Sequence, residues 1–149
     1  MPTVDFYILY TDSRQEKNIL VGQVTHKAWQ QGYRIHIQTQ SPAQARIIDK
    51  LLWTYQEDSF LPHDIYPDVP ESMAPIQIGY SSQIGENMRV LINLTEQIPS
   101  FCEQFERIVE IVDDIPSARE SGRTRYRLYK SQGYELKTHD IRRYYRLNE

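Results

Sequence analysis

The period of the apolar positions changes several times along this chain, and each change marks an element. Val4 to Tyr10 (VDFYILY) is a short β-rich run and predicts a first strand. Ser13 with Glu16 three residues on is a capping box, and it opens a helix running to about Gln31. Ile19, Leu20, Val24, Ala28 and Trp29 give that helix one apolar stripe, and Gly32 stands where a C-terminal cap belongs. Alternation returns at Tyr33 to Gln38 (YRIHIQ), a second strand. Ser41 and Pro42 then supply an N-cap and a first-turn proline for a second helix reaching about Tyr55. This β-α-β-α opening is the rhythm of parallel strands covered by helices.

Residues 56–74 break the rhythm. Pro62, Pro67 and Pro70 punctuate them, with Pro75 just beyond, and they predict a long irregular connection of the kind that often carries function. Pro75 to Tyr80, Arg89 to Leu94 and Glu106 to Val112 predict three more strands, with a short helix around Pro99 to Gln104 before the last of them. A final helix is predicted from about Ser117 to Gln132, ended by Gly133. The expected fold is a single three-layer α/β domain over residues 1–149, with a mostly parallel sheet between helices and residues 140–149 as either an extension of the anionic site or a flexible basic tail.

Composition sharpens this picture at one point. A chain of 149 residues is about one domain long, and 40% hydrophobic with 25% charged residues is a globular balance. The single cysteine, Cys102, has no intramolecular partner and suits a reducing compartment. The first ten residues lack a basic start and carry Asp5 inside the apolar run, so no signal peptide is expected. No apolar run is long enough to span a membrane, and a cytoplasmic location is expected. The net charge of -3, however, is unevenly spread. Residues 121–149 hold eight Lys or Arg against three acids, a net +5, which leaves -8 on the other 120 residues. The same 29 residues contain five of the 11 tyrosines. A basic, tyrosine-rich end on an acidic body points to an anionic partner.

The common chemistry of α/β folds is absent from the sequence. No two of the six glycines lie close enough to build a dinucleotide turn or a phosphate loop, and Asp12 occupies the first helix N-terminus, where a phosphate would have to sit. His26, His36, His63 and His139 are dispersed and lack metal-ligand spacing. Cys102, between Phe101 and Phe105, reads as a buried small hydrophobe. His63 reads as a loop residue bonding local backbone, and Asp113-Asp114 as caps for the following helix. No cofactor and no catalytic residue is expected.

Two constellations remain. Arg119, Arg123, Tyr126, Arg127 and Lys130 follow i, i+4, i+7, i+8, i+11, one stripe of a helix. Like charges at those spacings repel, so the stripe costs helix stability and suggests a use. Guanidinium groups beside a tyrosine fit a short acidic peptide ending in an apolar residue and free carboxylate. They also fit single-stranded nucleic acid, with Arg142, Arg143, Tyr144, Tyr145 and Arg146 extending the surface. The second constellation is Trp53 with Phe60 and Leu61, large apolar groups at a helix end and in the loop beyond. They form either a satellite core or an exposed anchor for a protein partner.

In combination these segments resemble a known family. D-F-Y-I-L at 5–9, L-L-W at 51–53, S-F-L-P-H at 59–63 and R-x-R-Y-R-x-Y-K-x-x-G-Y at 123–134 are similar to the chi subunit of bacterial DNA polymerase III, in order and spacing. The resemblance implies a nucleotide-binding-like α/β domain without a phosphate loop, and an accessory subunit rather than an enzyme. It also implies two partners: the psi subunit, which leads to the clamp loader, and the acidic C-terminal tail of single-stranded-DNA-binding protein. The tail-binding positions of the family fall on Arg123, Tyr126 and Arg127, with Arg119 as a further basic position and Val112 as an apolar one. Phe60, with Leu61 and Trp53, falls on the psi-facing block. A helicase-like repair protein is a further candidate for that face. The basic end, Asp140 to Glu149, has no counterpart in the family pattern.

Overall fold

Seven strands, all parallel, make one sheet in the computed structural model, which describes residues 2–54 and 60–142. In chain order the elements are β1 (Thr3–Leu9), α1 (Arg14–Gln30), β2 (Ile35–Gln38), α2 (Pro42–Thr54), β3 (His63–Tyr66), β4 (Ile76–Gly79), β5 (Val90–Asn93), a 3-10 turn (Cys102–Gln104), β6 (Arg107–Val112), α3 (Pro116–Ser131) and β7 (Glu135–Ile141). The strands lie in the order β3-β4-β2-β5-β6-β1-β7. The mostly parallel three-layer domain expected from the sequence is therefore the fold observed.

Both faces of the central strands are covered, which is why β2, β4 and β5 are buried from end to end. Leu20, Val24 and Ala28 of α1 and Ala45, Ile48 and Leu52 of α2 pack over Tyr7, Leu9, Ile35, Ile37 and Ile78 on one face. On the other, Tyr129 of α3 with Phe101, Phe105 and Tyr134 covers Val4, Phe6, Leu91, Ile108 and Val112. Fully burying one such side chain stabilises the fold by about 1.5–3 kcal/mol. The helix ends follow the predicted signals. Ser13 Oγ accepts from Glu16 N at 3.2 Å, and Gly32 and Gly133 both take φ +88° just past α1 and α3. The start of α3 departs from expectation. Asp113 and Asp114 do not cap it: they pair with Lys17 and Arg119 instead, and Pro116 in the first turn removes one of the N–H groups a cap would serve.

Two strands were not expected, and both lie at sheet edges. β3 falls inside the stretch predicted to be irregular; Pro62 and Pro67 bracket its four residues, which an edge strand tolerates. β7 pairs with β1 from Thr3↔Glu135 to Leu9↔Ile141, so Asp140 and Ile141 belong to the sheet and not to a flexible tail. Arg142 directly follows the strand, and residues 143–149 of the expected basic tail lie outside the described residues.

Cys102 is buried as expected. His36, also fully buried, carries a pH consequence. Its Nε2 lies 2.7 Å from Gln38 Oε1, and the missing Cβ of Gly79 makes room for its ring. Burial lowers its pKa from 6.5 to about 4. Between those values the unfolded chain binds a proton that the folded chain refuses, so stability falls as pH drops from 6.5 to about 4. Urea denaturation across that window is expected to show a shallower decline for His36→Gln than for the parent protein. Parallel declines would exclude His36 as the source.

Candidate functional site

α3 runs from the end of β6 to the start of β7 and packs on the face of β1, β6 and β7, and the close approach is set by Gly122. A Cβ there would meet Val112 Cγ2 at 2.9 Å, so only glycine lets the helix sit at this height without displacing Val112. Between helix and sheet lies a cavity of about 220 Å³ lined by Phe6, Ile8, Val112, Arg119, Gly122, Arg123, Tyr126 and Thr138. Strand alternation builds its floor. Phe6 and Ile8 point to the same face of β1, and Ile8 pairs in register with Val112. Tyr126 stands edge-on to Phe6, ring centroids 5.4 Å apart, and forms one wall. An apolar cavity of about 150 Å³ holds a benzene molecule. The space therefore admits a phenyl ring.

The rim is cationic. Arg123 is exposed and makes no ion pair or hydrogen bond among the described residues. Arg119 is half-buried: its Nη2 donates to Leu9 O at 2.6 Å and lies 3.3 Å from Asp114 Oδ1. Arg119 and Arg123 also line a wider groove along the helix, with Asp114, Pro116, Glu120 and Arg127. Val112 and Tyr126 thus line the cavity and Arg127 the groove, with Arg119 and Arg123 shared by both; Lys130, the last residue of the predicted stripe, lines neither. Phe6, Ile8, Gly122 and Thr138 were not anticipated as lining residues. The strand period could have placed Phe6 and Ile8 on one face with the helix, but it does not tell a filled core from an open pocket.

Not all of the basic end is surface. Arg125 is buried beneath α3, where its Nε donates to Glu110 Oε1 at 2.9 Å. Glu110 also accepts from Tyr129 Oη at 2.7 Å and from Asn93 Nδ2 at 3.0 Å. Arg125 Nη1 reaches Glu96 O at 3.0 Å and also donates to Ser121 Oγ. Burial raises the Glu110 carboxyl, while Arg125, Asn93 and Tyr129 pull it back down. This network ties α3 to β5 and β6 from below.

The second constellation divides. Trp53 is 51% and Phe60 60% exposed, their ring centroids 5.4 Å apart, so both stand on the surface as a pair. Leu61 does not join them. It is fully buried in the main core, and its side chain has no surface to offer a partner. His63, in β3 and not in a loop, explains why: it bonds Leu61 O and lies 3.0 Å from Asp49 O and 3.2 Å from Asp49 Oδ1 on α2. The Trp53 ring lies 4.5 Å from the His63 ring. Leu61 and His63 thus fasten the segment from beneath while Phe60 and Trp53 face outward. Residues 55–59 lie outside the described residues.

Comparison with known proteins bears on both surfaces. The family described as DNA polymerase III chi subunit, HolC, matches residues 1–137. The chain belongs to that family. It is 32% identical over 143 residues to the DNA polymerase III subunit chi of Pseudomonas aeruginosa, covering 96% of this chain and 99% of that protein. The subunit chi of Haemophilus influenzae is 29% identical over 140 residues, with 93% and 97% covered. That of Escherichia coli is 28% identical over 143 residues, again with 93% and 97% covered. The family match takes in all of α3, the Trp53–Phe60 pair and the β1 and β6 floor of the cavity; Thr138, Asp140 and Arg142 lie beyond it. Among the described residues of this chi-family chain, no group of three or more His, Cys, Asp or Glu side chains could hold a metal ion. No helix among them is long and apolar enough to cross a membrane.

Proposed function

We propose that this chain is a non-catalytic adaptor of DNA replication that binds the acidic C-terminal tail of single-stranded-DNA-binding protein on α3. On this reading the Trp53–Phe60 face holds the psi subunit, and psi joins the chain to the clamp loader. Family membership supports the accessory role. The observation that carries the tail reading is the apolar cavity of about 220 Å³ with the unpaired Arg123 on its rim. A terminal phenylalanine ring needs the one, and its carboxylate needs the other. Arg127 and Arg119 border the adjoining groove, where acidic residues upstream of the terminus meet them.

Titration of a tail peptide against the same peptide lacking its final phenylalanine tests this reading. The full peptide is expected to bind tighter by an order of magnitude or more. Equal affinities would mean that charge alone drives binding, and the ring pocket would have to be given up.

The psi reading rests on Phe60, an aromatic 60% exposed yet held on a segment anchored from below. Phe60→Ala is expected to leave the melting temperature nearly unchanged, because little area is lost from the core. Binding to psi is expected to weaken by about 2 kcal/mol, the scale of an interface hot spot. Unchanged psi affinity, measured by calorimetry, would remove Phe60 from that interface.

A further inference from the structure

Tyr10 directly follows β1, at the point where three elements meet. Its ring faces the Arg119 guanidinium of α3 at 5.1 Å and the Arg142 guanidinium beyond β7 at 4.1 Å. Its hydroxyl donates to Asp140 Oδ1 at 2.9 Å. One aromatic ring therefore holds the end of the edge strand against the start of α3. The consequence is electrostatic. Arg142 and Arg119 both stand against the Tyr10 ring, and Arg119 lines both the ring cavity and the adjoining groove. The geometry points to a second anion subsite at Tyr10, Arg119 and Arg142, which takes a carboxylate of a bound acidic peptide upstream of its terminus.

This inference rests on the peptide-binding reading above and extends its path across the sheet edge. An acidic peptide suits the surface better than a nucleic acid. A base needs an open ring to stack on, and Arg142 already covers Tyr10. Asp114, Glu120 and Asp140 also border the surface and interrupt it for a continuous phosphate chain. Separate carboxylates meet one arginine at a time and avoid those positions. Cation–ring contact positions Arg142 without neutralising it, so its guanidinium edge stays available to an acceptor.

The test is a double-mutant cycle on the full chain, with Arg142→Gln and Tyr10→Leu on one side. On the other are two peptides with the same terminal phenylalanine, one carrying upstream aspartates and one carrying asparagines there. Arg142→Gln is expected to weaken the aspartate peptide roughly two- to five-fold and to leave the asparagine peptide unchanged. Tyr10→Leu is expected to reproduce that loss although Arg142 is still present, and the double variant to add little. Equal losses for both peptides, or none for either, would overturn the subsite. So would a loss confined to a naked single-stranded oligonucleotide probe. If neither peptide binds the parent protein, it is the peptide-binding reading itself that fails, and the cycle separates the two failures.

Discussion

Arg125→Ala is expected to lower the stability of the protein by about 3–5 kcal/mol, the largest effect of any single substitution considered, because it strands a buried charge. Glu110 is fully buried, and Arg125 is its only cationic partner within 4.0 Å among the described residues. Without the guanidinium, Tyr129 and Asn93 still donate to the carboxylate, but neither offsets its charge. Glu110 must then take up a proton or admit water, and either route costs free energy in the folded state alone. A paired control separates charge from packing. Replacing both partners with apolar residues, Glu110→Leu with Arg125→Met, is expected to cost much less than Arg125→Ala, since a buried ion pair is often neutral to swap. Some cost remains, because Tyr129 and Asn93 lose their acceptor. Denaturant titration gives both values. A double variant as unstable as Arg125→Ala would mean that shape, and not the uncompensated carboxylate, sets the loss. Ligand binding by whatever fraction stays folded is a second readout, because α3 hangs on this network through both Arg125 and Tyr129.

This buried pair also marks where the sequence was readable and where it was not. Periodicity and caps located β1, α1, β2, α2 and α3, since each has a strong local pattern and a defined stop such as Gly32 or Gly133. β3 and β7 escaped for a shared reason. Edge strands are covered on fewer sides, so HDIY and ELKTHDI carry mixed polar residues that resemble loops. Charge was read by count, and counting cannot separate Arg125, buried on Glu110, from Arg123, exposed two residues earlier. Helical spacing did separate them, because Arg125 falls off the stripe of Arg119, Arg123 and Tyr126. Leu61 shows the opposite error. Adjacency places it beside Phe60, yet Leu61 is fully buried while Phe60 is exposed. The cavity itself had no local signature: its floor comes from β1 and β6, which are distant in sequence, and from the missing Cβ of Gly122.

Arg123→Ala is expected to weaken binding of the acidic, phenylalanine-terminated tail by roughly 10- to 150-fold with little change in stability. The side chain is exposed and makes no ion pair or hydrogen bond among the described residues, so its removal is expected to leave α3 in place. On the proposed reading it is the group that meets the terminal carboxylate at the mouth of the apolar cavity. A hydrogen bond to a charged group contributes roughly 1.5–3 kcal/mol, which sets the range. Arg119 is a poorer probe of the same site. It holds Leu9 O and Asp114 besides lining the groove, so Arg119→Ala mixes a structural loss with a binding loss. Arg127, exposed on the next turn, gives the cleaner comparison: Arg127→Ala removes a solvated charge and should cost about 1 kcal/mol or less. Salt distinguishes the two positions further. The Arg127 contribution should fade as ionic strength rises to physiological values, where screening acts over about 8 Å. The Arg123 contribution should persist, because the seated ring shields its carboxylate from solvent. An amidated tail peptide supplies the last comparison. It should bind the parent protein as weakly as the free-acid peptide binds Arg123→Ala, and should lose almost nothing more on that variant. If amidation and Arg123→Ala weaken binding independently, the carboxylate is held by some other group.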